Sequence, residues 1–167
     1  MPNNATGQAG GSRLYIDPET LFAMQVPADW LIDTSGQQGT KVVLLSPTAE
    51  AAFRANVNVS VQLLRGLTPE EFLTLSRLQL KQLTGRPRAD RDEPAARPAG
   101  AHLLEWRTEV GPVSIQARQL IVTDSHKAYV VTAMAPATSE LLYRRQFDLV
   151  FESFQLQPPP HVAPAGH

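Results

Sequence analysis

The chain has 167 residues, 43% of them apolar and 19% charged, with a net charge of −1 and a pI of about 6.4. That is the composition of one globular domain with its own core, not of a disordered chain. The near-neutral balance supplies no field to draw it onto nucleic acid or an anionic membrane. Cysteine is absent, which removes disulfides, thiolate nucleophiles, thiolate zinc sites and iron–sulfur clusters together.

The polar, Gly-rich start, residues 1–13, reads as a flexible arm, and the Pro-rich end, residues 158–167, as a loose tail. One domain, 14–157, lies between them. The start has no basic stretch followed by an apolar run, so no signal is visible. A cytoplasmic location is expected for the chain as it stands, and export if a leader has been removed. No stretch approaches the roughly 20 apolar residues that cross a bilayer, so no membrane span is expected.

Strands come first. LYID and LFAMQV read as short strands, and Pro27 ends the second because it cannot donate in a ladder. Asp29 is then a turn residue and Trp30 a core anchor at the entry to the next strand. KVVLLSP is a continuous apolar run of the kind buried on both faces. NVNVSVQLL alternates, with Val57, Val59, Val61 and Leu63 on one face and Asn58, Ser60 and Gln62 on the other. The segment beginning TPEEF is a helix. Thr68 and Glu71 form a capping box, Pro69 takes the first helical position and Gly85 stops it. Phe72, Leu75, Leu78, Leu80 and Leu83 fall on a wide arc, which predicts that only a narrow face stays wet.

Residues 86–100 hold three prolines and predict an edge strand and a turn. Three strands follow, AHLLEWRTE, PVSIQARQLIV and KAYVVTAMA, joined by hairpin connections at 110–112 and 123–127. On the first two, Leu104, Trp106, Val113, Ile115 and Ala117 are the apolar sides. Glu105, Arg107, Ser114, Gln116 and Arg118 are the polar ones. The third is apolar on both sides and belongs at the centre of the sheet. A second helix spans about 138–152, with Glu140–Arg144 and Arg144–Asp148 spaced to pair along it. Strands and helices in segregated runs predict an α+β fold: a mainly antiparallel sheet of about six to seven strands flanked by two helices in an α/β/α sandwich. The polar rows predict one incompletely covered sheet face carrying Asn58, Ser60, Gln62, Gln116 and Arg118.

Chemistry is sparse. Asp124, Ser125 and His126 bring triad residue types together, but consecutive residues at a hairpin tip diverge, whereas a triad converges. Glu70 and Glu71 suit a helix start. His161 and His167 lie in the Pro-rich tail, and His102 shares a strand face with Leu104 and Trp106. No metal site is expected from them. Phosphate-cradling glycine loops are absent; Gly36 and Gly39 flank a turn between strands with no following helix. Arg86, Arg88, Arg91 and Arg97 are nearly balanced by Asp90, Asp92 and Glu93, with no aromatic between them to stack a base. No cofactor, metal or nucleic-acid partner is expected.

VPADW, LSP, ANVNVSVQLL running into TPEEF, and the ending YVVTAMAP…VFESFQL together resemble the PsbP-like superfamily. Its members include photosystem II accessory proteins, a Ran-binding protein of nuclear transport and bacterial DcrB-like proteins. The resemblance covers most of 20–157 and implies a central antiparallel sheet with helices on both faces. It also implies a role without catalysis, binding and assisting another protein. The first expectation is therefore an accessory domain with a protein partner, or a homodimer, acting through the sheet face. One alternative is a small-molecule binder or enzyme using Tyr129, Tyr143 and His102 in a pocket between sheet and helix. Another is a secretion-associated chaperone with an apolar groove.

Overall fold

The structure, a computed structural model, describes residues 11–19, 21–48 and 53–157. Strands β1 (Ser12–Ile16), β2 (Phe22–Pro27), β3 (Leu31–Asp33), β4 (Val42–Leu45) and β5 (Asn56–Leu63) precede helix α1 (Pro69–Thr84). Strands β6 (Arg91–Pro94), β7 (His102–Val110), β8 (Val113–Thr123) and β9 (Lys127–Pro136) follow, then helix α2 (Glu140–Ser153) and β10 (Gln155–Leu156). The predicted Pro-rich tail and most of the predicted arm lie outside the described residues. β1 begins inside that arm, at Ser12.

Seven strands form one antiparallel sheet in the order β3-β4-β5-β9-β8-β7-β6. The fold class is the α+β arrangement that the order of elements predicts. β9, apolar on both sides, takes the central position, and β6, with its charges and Pro94, takes an edge. The first two strands depart from a single sheet. They pair with each other and with β10 as a separate three-stranded sheet, β1-β2-β10.

The large sheet has a core on each face. One joins Val57, Val59, Leu120, Val131 and Ala133 to α2 and to Phe22, Met24 and Val26 of the small sheet. Trp30 sits here, 3% exposed, edge-on to Tyr143 and Phe147 at 6.2 and 6.1 Å between ring centres. Its backbone N–H donates to the Pro27 carbonyl, closing the turn that follows β2. The other core is smaller: Leu104, Trp106, Ala117, Ile121 and Val130 under Phe72 and Leu80 of α1.

α1 is capped as predicted. Thr68 Oγ1 accepts from the Glu71 N–H at 3.1 Å, and Glu71 accepts from the Thr68 N–H at 2.9 Å. Gly85 closes the helix in the left-handed conformation, φ 72°, which glycine adopts without strain. The predicted wide buried arc does not form. Phe72 and Leu80 are buried, whereas Leu75, Leu78 and Leu83 are exposed. α2 likewise buries Phe147, Val150 and Phe151 but leaves Leu142 out. Glu140 and Arg144 pair at 2.9 Å as expected. Asp148 instead turns to Arg118 on the sheet.

Candidate functional site

Two polar rows run across the large sheet, on opposite faces. On β5, Asn58, Ser60 and Gln62 point to the α1 side, because Val57 and Val59 fill the core under α2. The antiparallel register sets Asn58 against Thr132 of β9, and Thr132 against Gln119 of β8. Gln119 Nε2 donates to Thr132 Oγ1 at 3.1 Å. α1 packs on β7, β8 and part of β9 but not on β5, where Asn58 and Ser60 are half-buried and Gln62 is exposed. A hollow of about 150 Å³ runs between helix and sheet, with Gln62, Gln79, Gln119 and Leu83 around Trp106 and Val130. Trp106 is 6% exposed, and its Nε1–H has no hydrogen-bond partner among the described residues. That leaves a desolvated donor next to a groove.

Gln116 and Arg118 do not share this face. They lie under α2, both buried. Gln116 accepts from Arg107 Nε at 2.9 Å. Arg118 donates to Asp148 at 2.9 Å, stands 3.5 Å from Glu105, and places its guanidinium 5.1 Å from the centre of the Phe151 ring. Arg91 reaches the same Glu105 at 3.9 Å. The predicted five-residue face is therefore corrected to Asn58, Ser60 and Gln62 with Thr132 and Gln119 added. Alternation along a strand says which residues share a side; only pairing register says which side matches that of the next strand. A signal for the two missed residues was present. Thr132 is a polar residue inside an apolar strand, and Gln119 interrupts the apolar series Val113, Ile115, Ala117 and Ile121 on β8.

The remaining polar groups form local structure. The Asp124 carboxylate accepts from the backbone N–H groups of His126 and Lys127, both at 2.7 Å, and from the Tyr129 hydroxyl at 3.2 Å. It thereby builds the hairpin turn, not a triad. Burial and the neighbouring Asp124 push the Tyr129 hydroxyl up to about 12, so it stays protonated at neutral pH. His102 and Arg77 both engage Asp92 on the edge strand β6. The Arg77 hydrogen bond, helped by His102, holds the Asp92 carboxyl down at about 2. Tyr143 packs against Trp30, and His102 lies on the opposite face of the sheet from Tyr129. Tyr129, Tyr143 and His102 thus form no common pocket. Among the described residues, no cluster of His, Asp and Glu could hold a metal ion, and no helix is long and apolar enough to cross a membrane.

Known structures match this architecture over most of its length. Cyanobacterial PsbP (CyanoP) from Synechocystis sp. PCC 6803 superposes with a TM-score of 0.64 at 18% identity, covering 88% of this chain and 93% of that one. The chain has the PsbP-like fold. LpqN, involved in cell envelope biogenesis of Mycobacterium tuberculosis, superposes with a TM-score of 0.62 at 11% identity, over 88% of this chain and 91% of that one. PA94 from Pseudomonas aeruginosa, a protein of unknown function described as a putative regulator, gives 0.58 at 17% identity, over 90% and 99%. No family model and no curated protein matches the sequence. At these identities the PsbP-like match speaks for the fold, and function rests on the site.

Proposed function

We propose that this PsbP-like domain is a non-catalytic accessory module that binds another protein on the α1 side of its sheet. The observation that carries this reading is the half-covered sheet face. Its row of Asn58, Thr132 and Gln119 is bordered by an apolar helix flank where Leu83 is 65% exposed. Amide and hydroxyl groups beside exposed leucines suit a protein surface that brings both backbone polar groups and apolar side chains. The fold it shares with two neighbours is in keeping with this reading: one is a PsbP, and another is involved in cell envelope biogenesis. The chaperone reading uses the same groove and differs only in a more apolar partner. The enzyme reading loses support because Tyr129, Tyr143 and His102 stand apart.

The test is affinity capture from the native cell with the intact chain and with Asn58→Arg combined with Gln62→Arg. The double variant should fold normally by circular dichroism and lose the co-purifying protein. Leu141→Arg, on the far side at the outer surface of α2, should keep it. Equal capture by all three would refute this placement of the site.

A further inference from the structure

A sheet edge that is long, flat and uncharged invites another strand, and proteins normally blunt their edges with short strands, charges or proline. Among the described residues, three of the four sheet edges are blunted. β3 has three residues, β10 has two, and β6 is Arg-Asp-Glu-Pro. β1 is the exception, with five residues, Ser-Arg-Leu-Tyr-Ile, and no proline or bulge.

Its hydrogen bonding can be followed residue by residue. The Asp17 N–H donates to the Phe22 carbonyl and the Ala28 N–H to the Gly11 carbonyl, each at 2.9 Å. The β1–β2 ladder therefore uses the odd residues of β1, and Ser12, Leu14 and Ile16 turn their N–H and C=O groups away from β2. No strand lies on that side among the described residues. The side chains of the same residues form an outer row, with Leu14 56% and Ile16 50% exposed. Arg13, the one charge on the strand, is exposed but has its guanidinium tied to the Trp30 carbonyl.

We infer that β1 pairs antiparallel with β1 of a second copy of this chain, on a two-fold axis through Leu14. This register is self-complementary. Leu14 meets Leu14 of the second copy and Ser12 meets Ile16, and each of these pairs exchanges two backbone hydrogen bonds. Arg13 falls opposite Tyr15 rather than opposite its own copy, so no like charges are set face to face. The two small sheets merge into one of six strands, leaving the face proposed for the partner protein free.

The absence of cysteine makes the test clean. Sedimentation equilibrium of the full chain should give a concentration-dependent dimer. Leu14→Lys combined with Ile16→Lys should weaken it on the order of tenfold or more, with an unchanged melting temperature. Leu14→Cys should form a disulfide-linked dimer under mild oxidation, since hydrogen-bonded antiparallel partners stand about 5.5 Å apart at Cα. Ile16→Cys, paired with Ser12, should not link to itself. A chain monomeric at millimolar concentration overturns the proposal, as do equal cross-linking of the two cysteine variants and a dimer untouched by the lysines. A monomer that dimerises only after residues 1–10 are removed also overturns it, and makes the chain's own N-terminal arm the occupant. Each outcome is independent of capture by the sheet-face variants.

Discussion

Removing the Arg118 guanidinium should destabilise the fold strongly, and removing its partner with it should restore most of the loss. Arg118 has an 8% exposed side chain between Asp148, 41% exposed, and Glu105, 16% exposed. In Arg118→Met the aliphatic stem is kept, so the packing loss is small and the electrostatic loss is isolated. Asp148 rehydrates easily, and an exposed pair of that kind contributes at most about 1 kcal/mol. Glu105 does not rehydrate. Orphaning a buried charge costs about 3–5 kcal/mol, and Arg91 at 3.9 Å offsets part of it. The stacking on Phe151 adds about 0.5–1 kcal/mol. The expected total is therefore about 3–4 kcal/mol by urea denaturation. Arg118→Met with Glu105→Leu should recover most of that, because a well-packed apolar pair replaces a buried ion pair at little or no net cost. A single variant within about 0.5 kcal/mol of the parent would refute this reasoning and return Arg118 to the list of free binding residues.

Trp30→Ala should cost about 3–5 kcal/mol by the same assay, given complete burial against Tyr143 and Phe147; a near-neutral effect would put Trp30 on the surface. Asp92 has its pKa depressed to about 2 by Arg77 and His102. Its stabilising effect is present above the unfolded pKa near 3.8 and is lost as pH falls toward 2. Asp92→Asn should therefore be less stable than the parent at pH 5, with the gap closing as pH approaches 2 in a series of thermal melts. A constant gap across that range would show that the loss is not electrostatic.

Local chemistry was legible in the sequence wherever neighbours in the chain decide the outcome. Thr68, Pro69, Glu71 and Gly85 specify α1 from within about one turn of each end, and Asp124 needs only His126 and Lys127 to form its turn. Pro27 and Trp30 likewise mark the end of one strand and the anchor before the next. The candidate site was only half legible. Asn58, Ser60 and Gln62 declare a polar side, but the choice of face for Gln116 and Arg118 depends on pairings with β7 and β9 that no local pattern encodes. The same holds for α1. Its leucines look like one buried arc, yet only Phe72 and Leu80 are buried; Leu75 and Leu78 stay exposed, and Leu83 lines the open hollow beside Gln62. The small sheet was hidden for a further reason: β2 finds β10 from the opposite end of the chain, and periodicity carries no information about such distant partners.

That pairing has a consequence for synthesis. Ala23 of β2 lies against Gln155 and the Gln25 N–H donates to Ser153, a partner 128 residues later. As the chain leaves the ribosome, β2 emerges well before its partners, with Phe22, Met24 and Val26, and the phenyl ring that stacks on Phe22 belongs to Phe154, just beyond α2. Until those partners emerge, the first hairpin waits with an apolar side uncovered. The domain closes only once Phe154 and β10 are available, and until then that hairpin offers a holding chaperone an apolar target.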